Sequence, residues 1–186
     1  MNNDKVDIRV FDAIKNFTPD VCYNGRLFSV KNDYIKTLRQ SVGHSLIHLP
    51  GVRALIFNEQ EEILLQHRKD VPMWGLPAGA VELNESVFEA LKREVEEETS
   101  LQVIAAEPMA LYSGPTQRFR YPNNDEIQCF SFAFIIRKWQ GKPRADGIEG
   151  YELRFFSLTK LPKKIVPIHQ QTITDYKHYE GRLLFG

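Results

Sequence analysis

A short acidic segment, residues 93–98, has the residue types and spacing needed to bind a divalent cation. It reads Arg-Glu-Val-Glu-Glu-Glu, although the whole chain of 186 residues is balanced, with 24 Lys and Arg against 24 Asp and Glu. In a helix, Glu94 and Glu98 lie one turn apart with Glu97 beside them, and like charges so placed repel by about 0.2–0.5 kcal/mol per pair. A bound cation would remove that repulsion, because Mg²⁺ prefers oxygen ligands. The spacing therefore predicts a metal-binding helix face.

The apolar residues around this segment predict how the helix is held in place. Ser86 followed by Glu89 is a capping-box pattern, which predicts that the helix begins there. Five apolar residues then recur at helical spacing, and they are Val87, Phe88, Ala90, Leu91 and Val95. We expect this face to pack on a sheet while the acids point outward. A salt-bridged, solvated helix would explain Lys92 and Arg93 but not the acidic cluster.

Residues 79–101 resemble the Nudix box of the Nudix hydrolases. That pattern is Gly, five residues, Glu, seven residues, then Arg-Glu-apolar-any-Glu-Glu-any-Gly-apolar. Its fixed polar and glycine positions are matched here by Gly79, Glu85, Arg93, Glu94, Glu97 and Glu98. One position differs, because Ser100 stands where the family has Gly. The preceding Trp-Gly-Leu-Pro-Ala-Gly of residues 74–79 also resembles the family's lead-in, with Ala78 in place of a frequent Gly.

The resemblance implies a cofactor and its ligands. Glu94 and Glu98 correspond to metal ligands, Glu97 corresponds to a residue that often joins them, and the backbone carbonyl of Ala78 corresponds to a further ligand. The implied ion is Mg²⁺, or Mn²⁺ in its place, which neutralises charge on phosphoryl oxygens and lowers the pKa of bound water. The implied reaction is hydrolysis of a phosphoanhydride bond.

Three other box residues are implied to be structural. Glu85 and Arg93 correspond to a salt bridge that holds the loop to the helix, and Gly79 opens the box. Ser100 follows the helix, where Gly enters the left-handed αL conformation without a Cβ clash. We expect Ser100 either to adopt αL at a cost of roughly 1 kcal/mol or to let the helix end differently.

The catalytic residues are narrowed to three acids. Family members place the general base either on the box helix or on a carboxylate before the last core strand, and residues 146–152 lie in the latter place. Glu149 is the candidate there, in a loop expected to close on substrate, and an ordinary solvated loop acid is the alternative. Glu98 is the competing base, and Glu97 beside it is the third catalytic candidate.

Substrate recognition is predicted to lie outside the box. The long loop of residues 113–126 interleaves Arg118 and Arg120 with aromatic residues. Arginine suits bidentate contacts to phosphate, and an aromatic face can stack on a base. The alternative is an exposed hairpin tip. Arg68 is a weaker phosphate-binding candidate, and Arg53 with it, because both fit charges at a strand edge.

Strand and helix patterns alternate along the chain. The sequence predicts strands at 52–57 and 63–68 joined as a hairpin, further strands at 109–112, 127–137 and 153–157, and a last helix between 168 and 179. Residues 1–50 are interpreted as an extension made of an Asn24-Gly25 hairpin and a helix at 33–42, and residues 51–186 as the catalytic domain. The fold class is α/β, a mixed sheet between helices, which is also the α/β/α sandwich that the resemblance implies.

Composition limits the partners. A net charge of zero argues against a sequence-independent nucleic-acid binder, and no apolar run has the length of a membrane span. The two cysteines, Cys22 and Cys129, form neither a C-x-x-C motif nor a disulfide framework, so a reducing cytoplasm is the expected compartment. Aromatic residues of the extension, Phe11, Phe17, Phe28 and Tyr34, could form a homodimer contact.

The sequence therefore predicts a metal-dependent hydrolase whose small-molecule substrate is a nucleoside diphosphate linked to another moiety, such as ADP-ribose or a nucleotide sugar. A nucleoside triphosphate pyrophosphohydrolase with a house-cleaning role is the second hypothesis. A non-catalytic nucleotide-binding module is the third, because Ser100 and Ala78 depart from the box pattern, although every box acid is present. Fold alone does not choose among them.

Overall fold

The computed structural model describes residues 34–186. The predicted Asn24-Gly25 hairpin, Cys22 and three of the four aromatic residues of the dimer hypothesis lie outside this range. Helix α1, Tyr34–Val42, confirms the helix predicted at 33–42 within the described residues. The N–H of Tyr34 donates to Glu82 Oε2 at 3.3 Å, so α1 begins beside the segment that leads into the box helix.

Six strands form the larger sheet. They are β1 Ile47–Ile56, β4 Ala78–Ala80, β5 Gln102–Tyr112, β6 Arg118–Arg120, β7 Glu126–Gln140 and β9 Leu184–Phe185. The strand order is β4-β1-β7-β5-β9, and β6 pairs with the beginning of β7. Strands β1 and β7 are parallel, whereas β5 and β7 are antiparallel, so the sheet is mixed as predicted.

The smaller sheet corrects the predicted hairpin. Its strands are β2 Ile63–Arg68, β3 Trp74–Gly75 and β8 Gly150–Phe156, in the order β3-β2-β8. Strands β1 and β2 meet only at one bridge, Phe57 to Ile63, and then enter different sheets. Apolar residues predict that each segment is a strand but do not specify its partner, so the local pattern could not show that β2 pairs with the distant β8.

Two helices cover the two faces of the larger sheet. Helix α2, Val87–Thr99, packs on the face that carries Val52, Ala54 and Phe134, and these residues share one apolar core. Helix α3, Pro167–Tyr176, brings Ile173 onto the other face, beside Leu55 and Ile135. The layers are therefore helix, mixed sheet and helix, which confirms the predicted α/β/α class.

The remaining predicted elements are present with shifted ends. The strands predicted at 109–112, 127–137 and 153–157 correspond to β5, β7 and β8, and the helix predicted at 168–179 corresponds to α3. The short strands β3, β4, β6 and β9 were not predicted, because two or three residues show no periodicity. Strand β1 crosses the proposed division between residues 50 and 51, and that division stays a prediction.

Within residues 34–186, the structure has no helix long and apolar enough to cross a membrane.

Candidate active site

Helix α2 begins where the sequence predicts. The N–H of Glu89 donates to Ser86 Oγ at 3.3 Å, and the N–H of Ser86 donates to Glu89 Oε2 at 2.7 Å, which completes the capping box. Leu91 and Val95 are buried against the sheet, whereas Phe88 remains 39% exposed. The predicted apolar face is therefore narrower than the sequence suggested.

Two of the box acids point inward, which corrects the prediction that they face outward. Glu94 is 8% exposed and Glu98 is 2% exposed. The reason is that strand β4 packs against α2 on the acidic side. Gly79 makes this approach possible, since a Cβ atom there would lie 2.0 Å from Glu94 Cδ. A side chain at this position would therefore displace the Glu94 carboxylate from its place beside β4.

Arg93 holds the box segment to the helix. Its guanidinium donates two hydrogen bonds to the Glu85 carboxylate, at 2.6 and 3.0 Å, and one to the Ala80 carbonyl at 2.8 Å. It also donates to Glu94 Oε1 at 2.7 Å. Burial alone would raise the pKa of Glu85, but the hydrogen bonds from Arg93 and the Glu82 N–H hold it below its ordinary value. The structure thus contains the implied salt bridge between Glu85 and Arg93.

Glu98 is the most deeply buried acid of the site. Its Oε2 accepts the Ala78 N–H at 2.9 Å, while Oε1 is buried without a hydrogen-bond partner in the described part of the chain. Burial raises the pKa of Glu98 well above its ordinary value, and the charge of Arg68 offsets only part of this effect. Burial likewise raises the pKa of Glu94 to about 7, against the opposing charge of Arg93. Both carboxyls therefore lack a full set of partners for their ionised forms.

These observations fit a divalent cation of the Mg²⁺ type. Glu98 Oε1 is buried without a hydrogen-bond partner among the residues that the structure describes, so a cation could bind this oxygen as a ligand. Glu94 adds a second carboxylate one helical turn away. Glu97 lies beside Glu94, because Arg93 Nη1 donates both to Glu94 Oε1 at 2.7 Å and to Glu97 Oε2 at 3.3 Å. Among residues 34–186, no three carboxylate, imidazole or thiol side chains converge into a complete metal centre.

A cavity of about 280 Å³ opens beside the box. Gly79, Ala78 and Glu94 form one side of it, and residues of β1, β7 and α3 form much of the rest. Glu149 lines the same cavity, so the loop before β8 lies beside the box. The charge of Glu149 also contributes to the raised pKa of Glu94. The candidate base and a candidate metal ligand therefore lie close together.

The arginine candidates are placed differently from one another. Arg68 lines the cavity, where it donates to Asp70 Oδ1 at 2.8 Å. Arg118 and Arg120 are exposed, contact Gln128 and Glu126 respectively, and are not among the residues that line the cavity. They alternate on β6 with the half-buried Phe119. Tyr121 from the same loop does line the cavity.

Arg53 corrects the interpretation of a strand-edge charge. Strand β1 is an interior strand, and Arg53 is 1% exposed. Its guanidinium donates to Gln117 Oε1 at 2.8 Å, to Thr172 Oγ1 at 2.9 Å and to the Ile168 carbonyl at 3.1 Å. Burial lowers its pKa from the ordinary value. Arg53 therefore joins β1, α3 and the 3₁₀ turn Pro115–Gln117 at the floor of the cavity.

Sequence reasoning missed two residues of the cavity. Tyr121 belongs to the loop of residues 113–126, in which the sequence predicts phosphate contacts from Arg118 and Arg120 and does not single out Tyr121. His169 is buried on α3, and its Nδ1 accepts the Leu76 N–H at 3.1 Å beside the Gly-rich lead-in. Burial lowers the pKa of His169 well below its ordinary value, so the ring is neutral and can accept this hydrogen bond. No motif in the sequence pointed to His169.

Comparison with known proteins identifies the family. The NUDIX domain profile matches residues 47–176, which include the box, all of α3 and every residue that lines the cavity except Ile35. The chain belongs to the Nudix family. It is 36% identical over 132 residues to a Bacillus subtilis (strain 168) protein provisionally named 8-oxo-dGTP diphosphatase, covering 71% of this chain and 82% of that protein.

Other Nudix proteins agree with this assignment. An ADP-ribose pyrophosphatase of Methanocaldococcus jannaschii is 36% identical over 129 residues, covering 68% of this chain and 72% of that protein. A solved MutT NUDIX hydrolase from Burkholderia pseudomallei has a TM-score of 0.59 at 24% identity, covering 69% of this chain and 97% of that one. The solved structure shows the shared fold, and the named relatives place this chain among the Nudix hydrolases.

The one departure from the Nudix box pattern, Ser100 in place of Gly, affects the backbone conformation at the end of α2. Ser100 adopts αL, with φ 61° and ψ 19°, and its N–H donates to the Glu96 carbonyl. A non-glycine residue in αL costs roughly 1 kcal/mol of folding free energy. Replacing it with Gly removes this cost, but the greater entropy of the unfolded chain with Gly cancels part of the gain. Ser100→Gly should therefore raise the melting temperature by a few degrees at most and leave kcat within about threefold. Thermal unfolding and steady-state kinetics check this, and the appearance of activity only in the Gly variant would show the wild-type chain to be non-catalytic.

Proposed function

We propose that this Nudix hydrolase is a divalent-metal-dependent enzyme that cuts the phosphoanhydride bond of a nucleoside diphosphate linked to another moiety. ADP-ribose or a nucleotide sugar represents the substrate class. The observation that carries the proposal is the cavity beside the Nudix box, which contains Glu94, Arg68 and Glu149. These residues bring a cation-binding carboxylate, a phosphate-binding side chain and a candidate base to one space.

The chain's own residues can be given roles in that reaction. Glu94 and Glu98, with Glu97 and the Ala78 carbonyl, would hold Mg²⁺ or Mn²⁺, which supplies neutralisation of phosphate charge and activation of water when bound. Asp70 accepts from Arg68 Nε and Nη2, so Arg68 Nη1 can contact a phosphoryl oxygen. Glu149 is exposed and can accept a proton from water at the cavity mouth.

A second cavity supports a substrate with two large halves. It has a volume of about 370 Å³ and is lined by Arg68, Lys69, Asp70, Ile148 and Glu149. It shares Arg68 and Glu149 with the first cavity, so the two spaces meet at these residues. A diphosphate held there would extend its two ends into different cavities. A nucleoside triphosphate has no second bulky moiety to fill the other space.

The relatives' names support two substrate classes. The Methanocaldococcus protein is named for ADP-ribose, which has a bulky moiety at each end of its diphosphate, and the Bacillus protein is named for 8-oxo-dGTP. A nucleoside triphosphate pyrophosphohydrolase is therefore the second candidate function. The non-catalytic binding module is less favoured, because every box acid is present and Glu94 and Glu98 are buried together on one side of α2.

A substrate panel tests the proposal. Purified protein with Mg²⁺ or Mn²⁺ would be assayed against ADP-ribose, a UDP-sugar, ATP and 8-oxo-dGTP, with release of phosphomonoester and of pyrophosphate measured separately. We expect kcat/KM for at least one conjugate to exceed that for both triphosphates by about tenfold or more, which is a difference of about 1.4 kcal/mol. The reverse ranking would favour the triphosphate hydrolase, and no turnover of any compound would favour the binding module.

The same panel tests the arginines. Removing a charge-assisted phosphate contact costs about 1.5–3 kcal/mol, so Arg68→Ala should lower kcat/KM by about tenfold or more. Arg118→Ala and Arg120→Ala were predicted to weaken substrate recognition. If those two substitutions leave the substrate ranking and kcat/KM unchanged, the loop arginines do not contact the substrate, and other side chains recognise it in the cavity.

A further inference from the structure

The loop before β8 is a capped turn that carries Glu149. The carboxylate of Asp146 accepts three successive backbone N–H groups, from Ile148 at 3.0 Å, from Glu149 at 3.0 and 3.1 Å, and from Gly150 at 3.1 Å. Gly147 between them has φ 71°, which glycine adopts without strain. One side chain therefore fixes the backbone donors of the whole turn.

These contacts also keep Asp146 ionised. Burial alone would raise its pKa, but the N–H groups of Glu149, Gly150 and Ile148 hold it below the ordinary value. An ionised carboxylate is an acceptor at both oxygens, and its hydrogen bonds are stronger than those of a neutral acceptor. The cap is thus maintained at neutral pH.

A second residue holds the same turn from the opposite side. The N–H of Lys69, just after β2, donates to the Glu149 carbonyl at 2.9 Å. The Lys69 ammonium donates to the Gly147 carbonyl and lies 5.0 Å from the centre of the Tyr151 ring. Both backbone groups of Glu149 are therefore hydrogen-bonded, its N–H to Asp146 and its C=O to Lys69.

The end of the turn is fixed by packing. Gly150 begins β8 and pairs with Arg68, which lines both cavities. A Cβ atom on Gly150 would lie 2.7 Å from Gln66 Oε1, so the backbone passes close to the interior of the smaller sheet. The turn is held at its beginning, middle and end, while the Glu149 side chain remains exposed at the cavity.

We propose that Asp146 and Lys69 are positioning residues that set the Glu149 carboxylate at the catalytic cavity before substrate binds. This rests on the proposed function, in which Glu149 acts on the water or substrate there. It differs from the sequence-based expectation of a loop that closes on substrate, because every backbone donor from residue 148 to residue 150 already has a partner in the turn. A preset carboxylate avoids the ordering cost during turnover.

The test combines kinetics with amide hydrogen exchange on the full chain. Asp146→Ala should lower kcat by about tenfold or more, with KM changed by less than about threefold, because misplacing a catalytic group by about 1 Å can cost up to a hundredfold. Asp146→Asn keeps one acceptor oxygen and should recover most of the lost kcat. Exchange at residues 148–150 should become faster in Asp146→Ala and stay close to wild type in Asp146→Asn.

The matched control is Asn58→Ala. Asn58 Oδ1 caps the turn between β1 and β2 by accepting the N–H groups of Gln60 at 3.0 Å and Glu62 at 2.9 Å. This turn follows the end of β1 that lies farther from the box. Removing the Asn58 cap should therefore leave kcat within about twofold, while hydrogen exchange of the amides in this turn becomes faster. A comparable loss of kcat in Asn58→Ala would show that general loosening, and not the placement of Glu149, explains the Asp146 result.

A double variant separates positioning from other roles. If Asp146 acts through Glu149, adding Asp146→Ala to Glu149→Gln should lower kcat no further than Glu149→Gln alone. Equal losses in both backgrounds would overturn the proposal, as would unchanged exchange at residues 148–150. A normal kcat in Glu149→Gln would also overturn it while leaving the hydrolase intact, whereas failure of the hydrolase proposal appears as no wild-type turnover of the panel.

Discussion

Replacing Glu98 with Gln is expected to lower kcat by at least about a hundredfold while the protein stays folded. Losing one major electrostatic or acid–base contribution typically has this magnitude. Gln can still accept the Ala78 N–H through its carbonyl oxygen, so the local hydrogen bond at 2.9 Å is preserved. What is lost is the negative charge on the second oxygen, which is buried without a partner. Steady-state kinetics on the preferred substrate measure the effect.

Glu96→Gln is the matched control for this substitution. Glu96 lies on the same helix, and Glu96→Gln makes the same chemical change as Glu98→Gln. Glu96 is exposed, however, and does not line the cavity. Its kcat should stay within about twofold of wild type, the usual range for surface substitutions. Glu98→Gln with wild-type kcat would remove Glu98 from both the metal site and the list of candidate bases.

Stability provides an independent measurement on the same variant. In the metal-free protein, burial raises the pKa of Glu98 above its unfolded value, so the folded state binds more protons. The free energy of unfolding therefore falls as pH rises from about 4.5 through the raised pKa and then becomes constant. Glu98→Gln lacks this titration, so its stability should fall less over the same pH range. Chemical denaturation between pH 5 and 8 checks the sign.

Removing divalent ions is the other change with a large expected effect. A chelator should abolish turnover, and adding Mg²⁺ or Mn²⁺ in excess of the chelator should restore it. Without a cation, Glu94, Glu149 and the substrate phosphates would place several negative charges in one cavity, which opposes binding and reaction. Activity is measured before chelation, after it and after each ion is returned.

The control for chelation is the folded state itself. Circular dichroism and the melting temperature should remain in the folded range in chelator, because α2 is held by its capping box and by Leu91 and Val95 in the core. Monovalent salt at equal ionic strength should not restore turnover. Full activity in chelator would contradict the metal-dependent mechanism and leave Glu149 and Arg68 as the principal catalytic groups to test.

The predicted helix of the box was recovered because its determinants are local. The capping pattern at Ser86 and Glu89 lies within one turn, and the buried positions Leu91 and Val95 repeat at the helical period. The same short range explains why the strands of β5, β7 and β8 were found in the right places. Their ends shifted because pairing partners, which the local sequence does not contain, decide where a strand ends.

The placement of arginines shows what local sequence could not predict. Arg53, Arg68 and Arg118 all lie on strands, yet Arg53 is buried at the floor of the first cavity, Arg68 lines both cavities, and Arg118 is exposed and lines neither. The difference depends on whether a strand is interior and on which face meets α3. Both properties follow from the pairing of β1 with β7 and from the packing of Ile168 and Thr172 near Arg53.

The sequence by itself therefore determined the family resemblance, the α/β class and the position of the acidic cluster on one helix, because these depend on residue types at fixed short spacings. Only the tertiary structure decided that Glu98 is buried beside Ala78, that β1 and β2 enter different sheets, and that Glu149 is held at the cavity by Asp146 and Lys69. Burial and cavity lining depend on contacts between residues far apart in the chain. Those contacts form through strand pairing and helix packing, for which periodicity carries no information about partners.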